Sequence, residues 1–484
     1  MSAIKNIPNI VSLLFLISIV VLFSCAPHEM ETSILQVGLG EKVITPDEKV
    51  RMRGFARSQV STGVHDDLYA RSLLVEGADG STVVLMAVAL CGMTEDYAER
   101  IRAIITEKTG IPAANVIISC THTHSGPNVG SSHDTFNKEE VDKTIASEQY
   151  RQFLVDQCAA SAVEAWENRQ PGKIGIESTT VFNLGMNRRR LIYGGLHPDP
   201  EVAVIKIEDA QGELLGVAFN YGCHPSGLDW QNTLLSEDWP YYSIRGIKES
   251  LGEDIWVAYY QSAEGDINLG YNSELSAIGA EMPIRNYEYI EKKGRLMADA
   301  VLESLPSVET SGGLDVVSVS DRFDYPLRNS YPVSLEQAER DAEEAKKRLK
   351  EAKENPELKG TRILDGFVVE EFQAIQRFRN ARRFYQTENR PSTRNLEQQA
   401  VRIGDAVFVT FPGELFSEIG LAIKNGSPLD KTYIIGVCCG PGGYLPAAHE
   451  FIEGDYEVNG SAYSPETEPF CVSSSLELVG KIKN

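Results

Sequence analysis

Apolar positions fall into short runs set between polar, helix-patterned stretches. Residues 37–45 and 68–75 have strand length and strand composition. Residues 82–90 are almost wholly apolar, as expected of a strand covered on both faces. A helical pattern follows over 94–109, then a strand over 115–119 and a helix over 150–168. Residues 202–207 and 215–220 read as strands paired around the turn Asp209-Ala210-Gln211-Gly212, and 255–261 as a further buried strand. Residues 334–353 and 369–385, dense in Glu, Ala, Lys and Arg, predict a helical hairpin with a solvated face, inserted over 330–390. Strand character resumes at 400–411 and leads into Pro412-Gly413-Glu414. There is no internal repeat and no low-complexity linker. The pattern predicts one α/β domain with mixed sheets over 35–484.

The N-terminus follows a different rule. Lys5 precedes a nearly unbroken apolar run over 10–23, too short for a comfortable membrane span. It ends in Leu22-Phe23-Ser24-Cys25, which looks like the lipobox of bacterial lipoproteins. The alternative is an uncleaved anchor with an incidental Cys. The expectation is a signal peptide over 1–24, a lipid on Cys25, a tether over 25–34 and a domain in the bacterial cell envelope, outside the cytoplasm. A net charge of -23 argues against nucleic acid as a partner and against an anionic membrane surface held by charge alone. It mainly suggests solubility, and the expected substrate, a small molecule or a lipid, is not read from it. The other seven cysteines (Cys91, Cys120, Cys158, Cys223, Cys438, Cys439 and Cys471) form no C-x-x-C framework, and their odd number leaves at least one unpaired. Cys438-Cys439 reads as a buried small apolar pair.

Three strand-like runs end in residues able to bind a metal. Residues 115–119 lead through Cys120-Thr121 to His122-Thr123-His124-Ser125-Gly126-Pro127. In an extended chain, residues two apart face the same side, so His122 and His124 are expected to face one site. That site would lie at a strand end, where α/β folds place ligands. Solvated or core histidines are the bland alternative for an isolated His-x-His. A second run ends in Cys223-His224-Pro225, and a third in Pro412-Gly413-Glu414. Two His and one Glu form a recurring catalytic zinc set that leaves a position for water.

These segments together resemble the neutral/alkaline non-lysosomal ceramidases. Thr121-His122-Thr123-His124-Ser125-Gly126-Pro127 is similar to the family's signature. Gly63-Val64-His65 with Leu68-Tyr69-Ala70-Arg71, Asn187-Arg188, Cys223-His224-Pro225, Pro412-Gly413-Glu414, Gly443-Tyr444-Leu445 and Asp455-Tyr456-Glu457 match further family segments in order. The resemblance runs from about residue 35 to 457. It implies zinc held by His122, His224, Glu414 and Tyr444, with His124, Arg188 and Tyr456 contacting substrate or the developing oxyanion. The implied reaction is hydrolysis of an N-acyl amide or ester bond by a zinc-activated water, with ceramide the first-named substrate. A carbohydrate- or peptide-directed hydrolase on the same scaffold, or a non-catalytic surface binding lipoprotein, are the other readings.

The chain departs from the family at Gly265-Asp266-Ile267-Asn268-Leu269-Gly270, where Asn268 stands in place of a Ser at the reacting centre. An amide cannot serve as a covalent nucleophile. Asn268 is therefore expected to orient water or substrate by hydrogen bonding, to reshape the floor of the site and to move preference away from ceramide. No immunoglobulin-like domain of the kind found at the family's C-terminus is expected within 35–484.

Overall fold

The structure is a computed structural model that describes residues 35–483 except 56–58, 131–144, 190–195, 274–284, 360, 439 and 441. The expected signal peptide, the lipobox with Cys25, the tether and Cys439 lie outside the described residues.

Eight strands form the larger sheet: β1 (Gln36–Val43), β2 (Tyr69–Glu76), β3 (Thr82–Val88), β4 (Val116–Cys120), β5 (Gln170–Thr180), β6 (Glu201–Asp209), β7 (Leu214–Tyr221) and β8 (Trp256–Gln261). Their spatial order is β8-β7-β6-β5-β1-β2-β3-β4. The middle of the sheet is antiparallel, whereas β3 with β4 and β7 with β8 are parallel pairs at its two ends. A four-stranded sheet of β9 (Val316–Pro326), β10 (Thr393–Ile403), β11 (Ala406–Thr410) and β12 (Lys431–Ile435) packs against it, with β11 and β12 again parallel.

The layers follow from side-chain alternation. One face of the large sheet (Leu73, Leu85, Ile205, Ala218, Tyr260) meets Val401, Phe408 and Tyr433 of the small sheet in a shared core. The opposite faces are covered by helices. Val84, Met86 and Ile118 pack against α1 (Glu95–Thr109) and α2 (Glu148–Glu167). Val204, Phe219 and Tyr259 pack against α3 (Trp239–Leu251) and α4 (Tyr287–Ser304). Burial on both sides is why β3 reads as a continuous apolar run. The charged stretch forms a hairpin of α5 (Leu335–Glu354) and α6 (Arg362–Gln386), closed by a narrow strip of Ala342, Ala345 and Ala374. Behind the small sheet, Ile419 and Ile423 of α7 (Ser417–Gly426) and Leu478 and Val479 of a C-terminal helix fill the last core. Among the described residues, no helix is long and apolar enough to cross a membrane.

The large sheet curls until its edge strands β4 and β8 approach each other. Tyr260 Oη donates to the Leu85 carbonyl at 2.9 Å, and Gln261 Nε2 donates to the Thr121 carbonyl at 3.0 Å. The chain leaving β12 fills the seam: Ser119 Oγ donates to the Gly436 carbonyl at 2.7 Å, and Gly436 N to the Gln261 carbonyl at 2.9 Å. The carboxyl ends of β4, β7, β8, β11 and β12 thus meet at one place, the position where open α/β sheets bind ligands.

Candidate metal and active site

His122 follows β4, but not in the extended form that an alternating strand would give. The strand ends at Cys120, and His122 has φ of +72°, a left-handed conformation uncommon for a side-chain-bearing residue and frequent at functional sites. Both signature histidines still reach one place: the ring centroids of His122 and His124 lie 5.1 Å apart. The cause is the strained turn, not strand alternation.

His224 follows β7 and is fully buried. Its ring centroid is 4.7 Å from that of His122 and 5.6 Å from that of His124. Gly222 permits this turn, since a Cβ there would lie 2.4 Å from the Ala263 carbonyl oxygen. Glu414 follows β11 in a two-residue parallel ladder, Glu414–Leu415 against Tyr444–Leu445, that sets Tyr444 opposite Glu414.

The histidine tautomers are set from behind. His122 Nδ1 donates to the Cys91 carbonyl at 2.6 Å, and His224 Nδ1 donates to the carbonyls of Glu264 and Ile267 at 3.0 and 2.9 Å. The Nε2 atoms are left to face Glu414 Oε2 at 3.5 and 3.3 Å. Metal–ligand bonds of about 2.0–2.1 Å at tetrahedral angles put neighbouring donor atoms about 3.3–3.4 Å apart. The spacing and the backbone-fixed tautomers both fit a divalent metal. His224 Nε2 and Glu414 Oε2 are buried without a well-aligned hydrogen bond, as ligand atoms would be.

The electrostatics agree. Burial disfavours a charge on His122, but Cys91 and Glu414 outweigh it and push its pKa up. Burial, reinforced by Arg188, pushes His224 down to about 4. Burial also opposes charge on Glu414, yet the two histidines hold its carboxyl well below the usual range. A cation between these groups would replace a shared proton.

The other expected residues surround this cluster. His124 packs edge-on against Phe55 at 4.8 Å, and Gly54, whose Cβ would fall 2.3 Å from the His124 ring, lets the chain lie against it. Arg188 is buried, pairs with Glu457 Oε1 at 2.7 Å, donates to the Gly265 carbonyl at 2.8 Å and lies 5.4 Å from the Tyr444 ring centroid. Tyr456 stands 6.0 Å from Tyr444, ring to ring, and burial pushes its phenol up to about 12.

Asn268 is fully buried and turned onto its own loop. Its Nδ2 donates to the Tyr271 carbonyl at 2.8 Å, and its Oδ1 accepts from the backbone N–H groups of Gly270 and Tyr271 at 2.9 and 3.1 Å. It shapes the loop that carries Ile267, a backbone partner of His224. Asp266 knits the same loop together, accepting from Asn187 Nδ2 at 2.7 Å and from Ser417 N at 2.8 Å.

Two residues that sequence reasoning passed over also lie here. Cys91 has its Sγ 3.9 Å from His122 Nδ1. Glu264 has its carboxylate within 4.8 Å of the donor atoms of His122, His224 and Glu414. The signal for Glu264 was available, for it follows the apolar run of β8 just as Glu414 follows that of β11.

The fold and site therefore define an α/β protein with a buried histidine–carboxylate cluster that could hold a metal ion. Residues 35–267, just under half of the chain, match the sequence model of the neutral/alkaline non-lysosomal ceramidase N-terminal domain. It is 28% identical over 240 residues to a neutral ceramidase of Oryza sativa subsp. japonica, an alignment covering 46% of this chain and 30% of that protein. It is 28% identical over 242 residues to the neutral ceramidase of Pseudomonas aeruginosa, covering 46% and 35%. The aligned stretch thus spans about a third of these relatives. In fold, the crystal structure of the Pseudomonas aeruginosa neutral ceramidase matches with a TM-score of 0.71 at 20% identity, covering 93% of this chain and 74% of that one. A second structure, a ceramidase complexed with C2, matches with a TM-score of 0.68 at 18% identity, covering 93% and 75%. The family match contains His122, His124, Arg188 and His224, whereas Glu414, Tyr444 and Tyr456 lie beyond it.

Proposed function

We propose that the chain is a zinc-dependent hydrolase of N-acyl amide bonds, with ceramide-class lipids as first substrates. The observation that carries the reading is the convergence of His122 Nε2 and His224 Nε2 on Glu414 Oε2 at 3.5 and 3.3 Å, within a family whose named relatives are neutral ceramidases. His122, His224 and Glu414 would hold the metal, with Tyr444 opposite Glu414 completing the set. Zinc, when bound, lowers the pKa of water to about 7 and polarises a carbonyl.

The remaining work falls to side chains. Tyr456 keeps its proton at neutral pH because its pKa is raised to about 12, so it can donate to a developing oxyanion. Arg188, held by Glu457 and the Gly265 carbonyl, brings a fixed positive charge beside Tyr444. His124 lines the same cluster and is assigned to substrate contact. Asn268 acts as a positioning residue. Its amide is committed to the 270–271 turn, so its presence carries no argument against ceramide.

A hydrolysis panel of N-acyl lipids including ceramide, acyl esters, acylated glycans and acylated peptides tests this reading. Cleavage of N-acyl lipids, abolished by chelator and restored by zinc, is expected. Cleavage of glycans or peptides alone would favour the carbohydrate- or peptide-directed alternative, and no hydrolysis by zinc-loaded protein would favour a binding lipoprotein. Lipid anchoring through Cys25, outside the cytoplasm, belongs to the same proposal and is motivated by Leu22-Phe23-Ser24-Cys25. Cys25→Ser should abolish lipid on the N-terminal peptide by mass spectrometry and free the protein from the membrane fraction. Unchanged lipidation would contradict it.

A further inference from the structure

Glu264 has no role in any motif described above, and its surroundings are unusual. It is fully buried, and neither carboxylate oxygen has a hydrogen-bond partner. Buried carboxyl groups are almost always paired, hydrogen-bonded or bound to a metal. Arg188, the arginine whose charge acts on it, is already engaged by Glu457 at 2.7 Å and by the Gly265 carbonyl. What Glu264 does face is the donor set: its carboxylate lies within 4.8 Å of the ligand atoms of His122, His224 and Glu414.

The backbone holds it there. The Glu264 carbonyl accepts from His224 Nδ1 at 3.0 Å and from Ile267 N at 2.7 Å, and Gly265 N donates to the Leu415 carbonyl at 2.9 Å. One residue therefore fixes the His224 ring and points its own side chain at the same place. Room for that side chain depends on Gly436, where a Cβ would sit 3.1 Å from Glu264 Oε2.

We propose that Glu264 is a further ligand of the divalent metal at this centre, giving a set of two histidines and two carboxylates beside Tyr444. The inference rests on the metal-centre reading above. A second carboxylate raises the oxygen share of the ligand set, which suits cobalt or manganese alongside zinc.

The test is direct metal binding, not turnover. Metal-free wild type, Glu264→Gln, Glu264→Ala and His224→Ala are titrated with zinc against a chromophoric chelator and with cobalt by visible absorption, with circular dichroism to verify folding. Both Glu264 variants should stay folded, since each removes a buried carboxyl without a hydrogen-bond partner. They should bind zinc more than about 100-fold more weakly, beyond the loss usual for a group standing behind the ligands. Their cobalt spectra should show the stronger absorption of a lower coordination number. A smaller loss with the wild-type cobalt spectrum in both variants would overturn the assignment of Glu264. Full zinc affinity in His224→Ala would instead overturn the metal centre itself.

Discussion

His224→Ala is expected to hold no zinc at equimolar concentration and to lose at least about 10³-fold in kcat, the scale on which a metal centre lowers a hydrolytic barrier. The ring is fully buried, held at Nδ1 by two carbonyls and aimed at Glu414 by Nε2. Alanine removes a neutral donor and leaves Glu414 and Glu264 facing each other across the cavity. The fold should survive, because the β7–β8 pairing does not involve this side chain. Zinc content by mass spectrometry, kcat on the best substrate from the panel and circular dichroism check the three parts. Unchanged zinc content would remove His224 from the ligand set.

The second large effect is expected from Glu457→Gln, in stability. Glu457 is fully buried and shared by two guanidinium groups, Arg188 Nε at 2.7 Å and Arg189 Nη1 at 2.8 Å, while Glu450 takes Arg189 Nη2 at 2.9 Å. Removing the shared carboxylate leaves Arg188 buried without its ion pair, a change that costs roughly 3–5 kcal/mol. The pH dependence has a fixed sign. Burial raises the pKa of Glu457, but Arg188 and Arg189 outweigh burial and hold it below the ordinary value. Its contribution is present above the unfolded pKa, about 4.3, and is lost as pH falls through the lower folded value. Urea unfolding of wild type and variant should therefore converge in acid and diverge at neutral pH. A difference below about 1 kcal/mol at pH 7 would contradict the network's role. Because Arg188 is ion-paired to Glu457 and Tyr456 directly precedes it in the chain, kcat should fall as well.

Much of this was legible from the chain. Strands covered on both faces, such as Thr82–Val88, and strand ends carrying His122, His224 and Glu414 could be read from apolar runs stopping at chemically active residues. The turn at Asp209–Gly212 joins β6 and β7 as its residues imply. Other features depend on the third dimension. Gln170–Thr180 is half polar because both of its ends are exposed, so its strand pattern is weak. Trp239–Leu251 and Tyr287–Ser304, by contrast, bury an apolar face against each other and the sheet and carry the stripe by which an amphipathic helix is recognised, yet they are not among the helices expected above. His122 faces its partners through a left-handed turn that strand alternation does not describe. Tyr444 joins the site only through its ladder with Glu414, thirty positions away in sequence. Asn268 looked like a group facing the reacting centre, but its hydrogen bonds serve the loop behind His224.

Zinc titration of the metal-free protein, with N-acyl lipid hydrolysis as the readout, tests the central claim most directly. Negligible rate without metal and full recovery at about one equivalent per chain, the stoichiometry of a mononuclear catalytic site, are expected. Equal hydrolysis by the metal-free protein would contradict that claim, as would zinc-loaded protein that cleaves no acyl bond.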